Sequence, residues 1–378
     1  MSRREFLKGS LGLVAAAAAA GGGGWAYLNQ PQFGRSPTGT RLEKILASPH
    51  YKDGQFQNLL PTTVMTQEGE KDNRVTGLLK MLFGDKKGLV PEEPILHRKT
   101  NLFSLDPYKD CVVWMGHSSF YLQLAGHRIL IDPVFSPYAA PVSFANKAFP
   151  GSNAYTTSDI PSLDLLIMSH DHWDHLDYPT IMGLKDKIQA ILCPLGVGEY
   201  FEQWGFSPSQ LVEGDWNSAF TLFPDLTVHI LPSRHFSGRL LKQNQTLWSG
   251  FALITPEKKV YYTGDGGYGP HFKAIGKQFG GFDLALTENG QYNLNWHQIH
   301  MLPEESAQAM VDVGARLVLP AHNSKFALAR HLWQDPMRDL VKYSKDKPYT
   351  LLTPQIGQLV SIDPAHPGVF SHWWEDMR

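Results

Sequence analysis

Six consecutive residues, His170-Asp171-His172-Trp173-Asp174-His175, follow the apolar run Leu-Leu-Ile-Met at 165–168 with only Ser169 between. The run predicts a buried strand. The side chains beyond it suit metal: imidazole and carboxylate ligate zinc, and also manganese or iron. His170 and His172 are two residues apart, so on a still-extended backbone they point the same way and can grip one ion. The chain must then turn, which lets Asp174 and His175 face the other side and hold a second. A polar loop with solvent-facing histidines is the plain alternative. Three histidines and an aspartate packed behind a buried strand argue against it.

Other elements repeat the arrangement. Predicted strands at 111–115, 119–124 and 127–131 come first, with Ala125-Gly126 as a tight turn, His117 on the turn before it, and Asp132-Pro133 ending the third. Predicted helices at 178–185 and 197–204 flank a strand at 189–193. A strand at 226–231 leads to His235. A hairpin at 247–254 and 259–263 leads to Gly264-Asp265-Gly266-Gly267. A strand at 283–286 ends near Glu288-Asn289. A helix is predicted at 303–313, with Pro303 in its first turn, Glu304 and Glu305 at its positive end and Gly314 at its exit. The strand at 316–320 leads to His322. Alone, His235, Asp265 and His322 each read as loop or turn residues. Their order, each just beyond a strand, joins them to the first cluster. Alternating strands and helices with reactive residues at strand ends are α/β or α+β architecture.

The stretch 163–177 resembles the signature of the metallo-β-lactamase-fold hydrolases, and the resemblance extends over roughly residues 108–360. It implies a four-layer αββα sandwich: two β-sheets face to face, helices outside, metals at one edge. Residue by residue, His170, His172 and His235 match the ligands of a first metal. Asp174, His175 and His322 match those of a second, and Asp265 matches the carboxylate that bridges them. The implied cofactors are two divalent ions, zinc foremost, with manganese or iron compatible. Such a pair would bring a bridging water to a hydroxide nucleophile near neutral pH. Asp174 could orient it and accept its proton. The reaction class is metal-assisted hydrolysis of an ester, phosphodiester, lactone or amide.

Flanking residues narrow the substrate. Ser48-Pro49-His50-Tyr51-Lys52-Asp53-Gly54, Gln57-Asn58, Asn289-Gly290-Gln291-Tyr292 and His300-Met301-Leu302-Pro303-Glu304-Glu305 resemble a bacterial branch related to N-acyl-phosphatidylethanolamine phospholipase D. In that branch the histidine at the position of His300 approaches the substrate phosphate, which makes His300 a second catalytic candidate and a phosphodiester or lipid the expected substrate. His117 is a candidate neighbour of the metals. Trp173, Phe236, Tyr268, Tyr292 and Trp296 are candidates for an apolar channel. After His322 the chain reads Asn-Ser-Lys-Phe, where that branch commonly has Trp-Gly-Thr-Phe, so the wall beside the second metal is expected to differ. A lactonase or amide hydrolase is the alternative, the ascorbate-lactone hydrolases being the nearest competitor. A non-catalytic metal-binding regulator is a third, and the complete ligand set argues against it.

Composition sets the frame. The 378 residues are 42% apolar with net charge −2, enough for a large core and without a basic run after the N-terminus, so no nucleic-acid partner is expected. Cys111 and Cys193, the two cysteines, lie in apolar runs and are expected as buried free thiols. Ser2-Arg3-Arg4-Glu5-Phe6-Leu7-Lys8 resembles the twin-arginine export signal. The apolar segment 11–20 is too short to span about 30 Å of hydrocarbon at 1.5 Å per residue. Extended to Tyr27 it nearly suffices, so a cleaved signal and a retained membrane anchor both fit. The expectation is a periplasmic protein, or one on the periplasmic face of the inner membrane, exported folded by the twin-arginine machinery. Residues 1–30 are then signal or anchor, 31–107 a lead-in that wraps the core with helices at 40–47 and 75–82, and 108–378 the hydrolase domain.

Overall fold

Side-chain alternation along the strands decides the architecture. The computed structural model describes residues 24–66, 87–239 and 242–378; the expected export signal and the helix at 75–82 lie outside them. The lead-in supplies α1 (Gly39–Ala47) and a small hairpin of β1 (Tyr51–Lys52) and β2 (Gln55–Phe56). Two seven-stranded sheets follow. The first contains β3 (Cys111–Trp114), β4 (Phe120–Leu124), β5 (His127–Ile131), β6 (Leu163–Ile167), β7 (Ile188–Pro194) and β8 (Leu211–Gly214). The second contains β9 (Ala219–Phe223), β10 (Leu226–Leu231), β11 (Gly250–Ile254), β12 (Lys259–Tyr262), β13 (Phe282–Glu288), β14 (Ala315–Ala321) and β15 (Thr350–Leu351). The last strand, β16 (Leu359–Ser361), returns to the first sheet and pairs antiparallel with β3, giving the order β16-β3-β4-β5-β6-β7-β8. The sequence reading did not anticipate this strand.

Each sheet is antiparallel at one end and parallel at the other. From β5 through β8, and from β12 through β15, the pairings are parallel. Parallel strands need crossovers, and α2 (Tyr178–Leu184), α3 (Gly198–Gln203), α4 (His271–Phe279) and α5 (Pro303–Asp312) supply them. Val112, Leu122, Ile129, Leu165 and Leu192 turn inward and meet Val228, Leu253, Val260, Leu284 and Leu317 of the other sheet. Their neighbours Val113, Tyr121, Leu130, Leu166 and Ile191 turn outward onto Ile181, Leu184 and Phe201 of α2 and α3. Ala252, Tyr261, Ala285 and Val318 do the same onto Phe272 and Ile275 of α4 and Ala309 and Met310 of α5. Burial on both faces explains the near-continuous apolar strands, and the result is the expected αββα sandwich. A sixth helix, α6 (Asp335–Ser344), sends Met337 into the central layer.

The tight turn at Ala125-Gly126 has φ of 50° and 81°, as a two-residue hairpin with both central residues left-handed requires. Cys111 and Cys193 are buried and unpaired. The described part of the lead-in is anchored to the first sheet and its helix α3 by ion pairs. Arg41 of α1 reaches Glu199 at 2.7 Å, Glu202 at 2.9 Å and Glu213 at 2.8 Å, tying α1 to α3 and β8.

Candidate metal centre

Strand β6 ends at Ile167, so His170 and His172 lie beyond it on irregular backbone. Their convergence is therefore not strand alternation, as the spacing suggested. His170 Nε2 nonetheless lies 2.9 Å from His172 Nδ1, and His235 Nε2 lies 3.2 Å from the same atom. The chain then turns, with His175 N and Leu176 N both donating to His172 O. That turn carries Asp174 and His175 to the other side, where they meet His117 and His322. The structure thus brings together all seven ligand candidates, in the two sets the sequence proposed, and adds His117 to the second set.

Asp265 lies between the sets. Its Oδ2 is 3.0 Å from His175 Nε2, 3.9 Å from His235 Nε2 and 4.0 Å from His170 Nε2; its Oδ1 is 3.2 Å from His322 Nδ1. That Oδ1 is buried and accepts no hydrogen bond. Buried carboxylate oxygens are normally satisfied, so this one points to a partner of another kind.

The residues fit a metal pair on their own chemistry. His235 Nδ1 is 2.9 Å from the carbonyl of Ile299, which can only accept, so Nδ1 carries the proton and Nε2 presents a lone pair inward. A tetrahedral zinc with nitrogens at about 2.0–2.1 Å sets those nitrogens about 3.3 Å apart, close to the spacings here. Burial, then the neighbouring imidazoles, pushes His170, His235 and His322 well below the usual histidine range, which leaves them in the neutral, ligating form. Burial opposes ionisation of Asp174, but His175, His117 and His322 outweigh it and hold the carboxyl well below its ordinary value. Burial likewise opposes charge on His175, and Asp265, Asp174 and Asp132 overcome it, raising its pKa well above normal.

Several residues that hold this site were not singled out in the sequence. Asp132, one residue past β5 with φ of 41°, is fully buried. It accepts from His175 Nδ1 at 2.8 Å, Ser169 N at 2.8 Å and Tyr262 Oη at 2.6 Å, fixing the tautomer and direction of His175. Ser118 Oγ lies 3.1 Å from His322 Nδ1. Arg239, buried and stacked on Trp173, donates to the carbonyls of Asp171, Leu176 and Gln32, pinning the metal loop to the lead-in. The lead-in, from which no chemistry was legible, also grips the His235 loop: Asn58 Nδ2 donates to His235 O at 2.7 Å and its Oδ1 accepts from His235 N at 3.0 Å.

Other candidates separate. His117 Nε2 is 2.8 Å from Asp174 Oδ2, so it stands beside the second set. His300 rests against both sets, 5.0 Å from the His235 ring and 5.2 Å from the His322 ring. Burial works against its charge, and its contact with Glu288, 2.9 Å away, more than restores it. Burial in turn pushes the Glu288 carboxyl up to about 7. Phe236 packs on the His172 ring at 4.5 Å. Tyr268 instead bonds Asp312 and stacks on Phe272 of α4, and Trp296 donates to Gln291 O. Tyr292 stacks on His331. Trp173 faces Phe33 and Arg239. The departure after His322 goes inward: Lys325 is fully buried, with Nζ on the carbonyls of Val134 at 2.7 Å and Met115 at 3.3 Å. It braces strand ends rather than forming a pocket wall, and burial takes its pKa down to about 7.

Comparison with known proteins agrees with the architecture. Residues 127–323 match the model of the β-lactamase superfamily domain. An uncharacterized protein of Mycobacterium tuberculosis is 36% identical over 331 residues, 86% of this chain and 87% of that one. The N-acyl-phosphatidylethanolamine-hydrolyzing phospholipase D 1 of Caenorhabditis elegans is 27% identical over 299 residues, 73% of this chain and 82% of that one. Igni18, a metallo hydrolase of Ignicoccus hospitalis, shares the fold with a TM-score of 0.52 at 21% identity, over 67% of this chain and 97% of that one. With the family model spanning both histidine clusters and a relative aligned over nearly the whole length, the chain belongs to the metallo-β-lactamase superfamily of metal-dependent hydrolases.

Proposed function

We propose that the protein is a binuclear hydrolase of phosphodiesters, with a phospholipid-like molecule as its substrate and zinc as its first-choice metal. His170, His172 and His235 would hold one ion and Asp174, His175 and His322 the other, with the Asp265 carboxylate between the two sets. Two such ions lower the pKa of a water toward neutrality and polarise the bond under attack. The observation that carries the substrate class is His300. It lies against both ligand sets, with a ring nitrogen within 4.8 Å of ligand atoms of His235 and Asp265, and keeps 13% of its side chain exposed. Similarity to the nematode phospholipase D supports the same class.

The chain's own residues then have distinct tasks. Asp174, held ionised and oriented by His117, takes the proton of the attacking water. The hydroxyl goes to phosphorus, the P–O bond to the leaving alcohol breaks, and the proton taken by Asp174 passes to the leaving oxygen, so that the alcohol departs neutral. His300 meets a phosphoryl oxygen as a hydrogen-bond donor. Phe236 offers apolar surface beside His172 for the rest of the substrate.

A panel tests this reading. The purified protein should hold close to two metal ions per chain and hydrolyse bis-(p-nitrophenyl) phosphate with zinc, manganese or iron. Turnover of lactones without turnover of the diester would replace the phosphodiester reading with the lactonase one. Elemental analysis showing no metal in chelator-free protein would remove the ligand assignment.

Export through the twin-arginine route rests on Arg3-Arg4 and the apolar segment behind them. Among the described residues no helix is long and apolar enough to cross a membrane. Replacing both arginines with lysine should leave the protein in the cytoplasm, folded and metal-loaded. Recovery of that variant from the periplasm on fractionation would defeat the proposal.

A further inference from the structure

Three parallel strands, β12, β13 and β14, end side by side. The first leads to Asp265 and the third to His322, both already placed in the metal centre. The middle one ends at Glu288, whose register partner on β14 is Ala321, the residue before His322. The Glu288 side chain is completely buried. A carboxylate there must find partners inside the protein. Both of its oxygens have one: Oε1 lies 2.9 Å from His300 Nδ1 and Oε2 accepts from Met301 N at 3.1 Å. Its backbone is fixed as well, with its N donating to Thr263 Oγ1 at 2.9 Å and its carbonyl accepting from Ser306 Oγ at 3.0 Å.

One rigid carboxylate therefore holds the ring of His300 and the peptide that follows it. With Nδ1–H given to Glu288, the nitrogen left for a ligand is Nε2. The His300 ring lies nearly parallel to that of His322, at 16°. We infer that Glu288 is the positioning residue of His300, fixing the ring so that Nδ1–H stays on the carboxylate and Nε2–H is turned to the phosphoryl group of the substrate. The inference rests on the phosphodiester reading for its consequence, though its geometry does not. Such a group held by a fixed carboxylate loses no orientational freedom as charge develops on the substrate, which is what a transition-state contact needs.

Glu288→Gln is the discriminating change. Glutamine keeps the volume, but its single oxygen can accept from only one of the two donors, His300 Nδ1 and Met301 N. In metal-loaded full-length protein, kcat on bis-(p-nitrophenyl) phosphate should fall about 10–100-fold, with KM changed less than about threefold and two metals retained. Added to His300→Ala, the change should cost less than about threefold more, because residues that act as a unit are not additive. In zinc-loaded protein labelled with ¹⁵N-histidine, His300 should show a protonated, hydrogen-bonded Nδ1 in the native chain and lose that signature in Glu288→Gln.

Several results would overturn the inference. Ligand atoms of Glu288, His300 and His322 lie within 4.8 Å of one another, so loss of a metal in Glu288→Gln would make Glu288 a ligand. Multiplicative losses in the double variant would make it act independently of His300, and an unchanged kcat would leave it no part in turnover. Should the variant fail to fold, the native spectrum still decides, since a His300 protonated only at Nε2 contradicts the proposed orientation. If the native enzyme leaves the diester intact, the phosphodiester reading fails, while the ¹⁵N measurement tests Glu288 without any substrate.

Discussion

Asp265→Asn is expected to abolish hydrolysis and to lower metal occupancy below two ions per chain. Asp265 is the carboxylate between the two sets, with Oδ2 near His170, His175 and His235 and Oδ1 near His322. An amide of the same shape keeps one oxygen but places an NH2 group where the second must face a cation. A neutral amide also removes the negative charge that offsets two divalent ions. The backbone around it is unaffected, since Asp265 O accepts from Ser233 Oγ through the main chain. Elemental analysis and a diester assay on the same preparation check both effects. Retained turnover with full metal content would place the bridge on another residue.

His300→Ala is the second large effect, and it separates substrates. The two ligand sets are complete without His300, so the variant should keep two metals and its fold, with a lowered melting temperature because buried Glu288 Oε1 loses its partner. Deleting one preorganised donor to a phosphoryl oxygen should lower phosphodiester turnover about 10²–10³-fold, the scale seen on removing an oxyanion donor. A neutral lactone should suffer less, because its developing charge is met chiefly at the metal centre. Loss of metal would make His300 a ligand. Equal damage to both substrates would make it a general positioning group. No damage to either would withdraw the strongest local support for the phosphodiester reading.

What the sequence made legible follows a physical divide. The cluster at 170–175 could be read because its ligands are dense and follow a buried strand closely. His235, Asp265 and His322 gained their meaning from position, each just past a strand, and the structure places them around the first cluster. Asp132 and Glu288 were not legible. Each is a single carboxylate at the end of an apolar strand, where an acidic residue also serves simply to end the strand. Their partners, His175 and Tyr262 for one and His300 for the other, are remote or separated by loop in the chain. Asn58 and Arg239 were hidden for the same reason: a side chain that caps a distant backbone carries no periodicity. The spacing of His170 and His172 led to the right convergence for the wrong geometric reason, since the strand stops before them. The aromatic residues could not be sorted by pattern, because each fits channel and ordinary core alike, and Tyr268 packs onto α4.

The return of β16 to β3 has a consequence for how the molecule is made. One edge of the first sheet is supplied by Leu359–Ser361, and its partner strand is Cys111–Trp114. About 250 residues lie between them, some 10–50 s of translation at about 5–20 residues per second. Val112 and Val113 therefore gain their outer neighbour only once the chain has reached Leu359 and Val360. Loop closure over that distance adds its own entropic barrier. The first sheet can therefore be closed at the β3 edge only after residues 359–361 have been made.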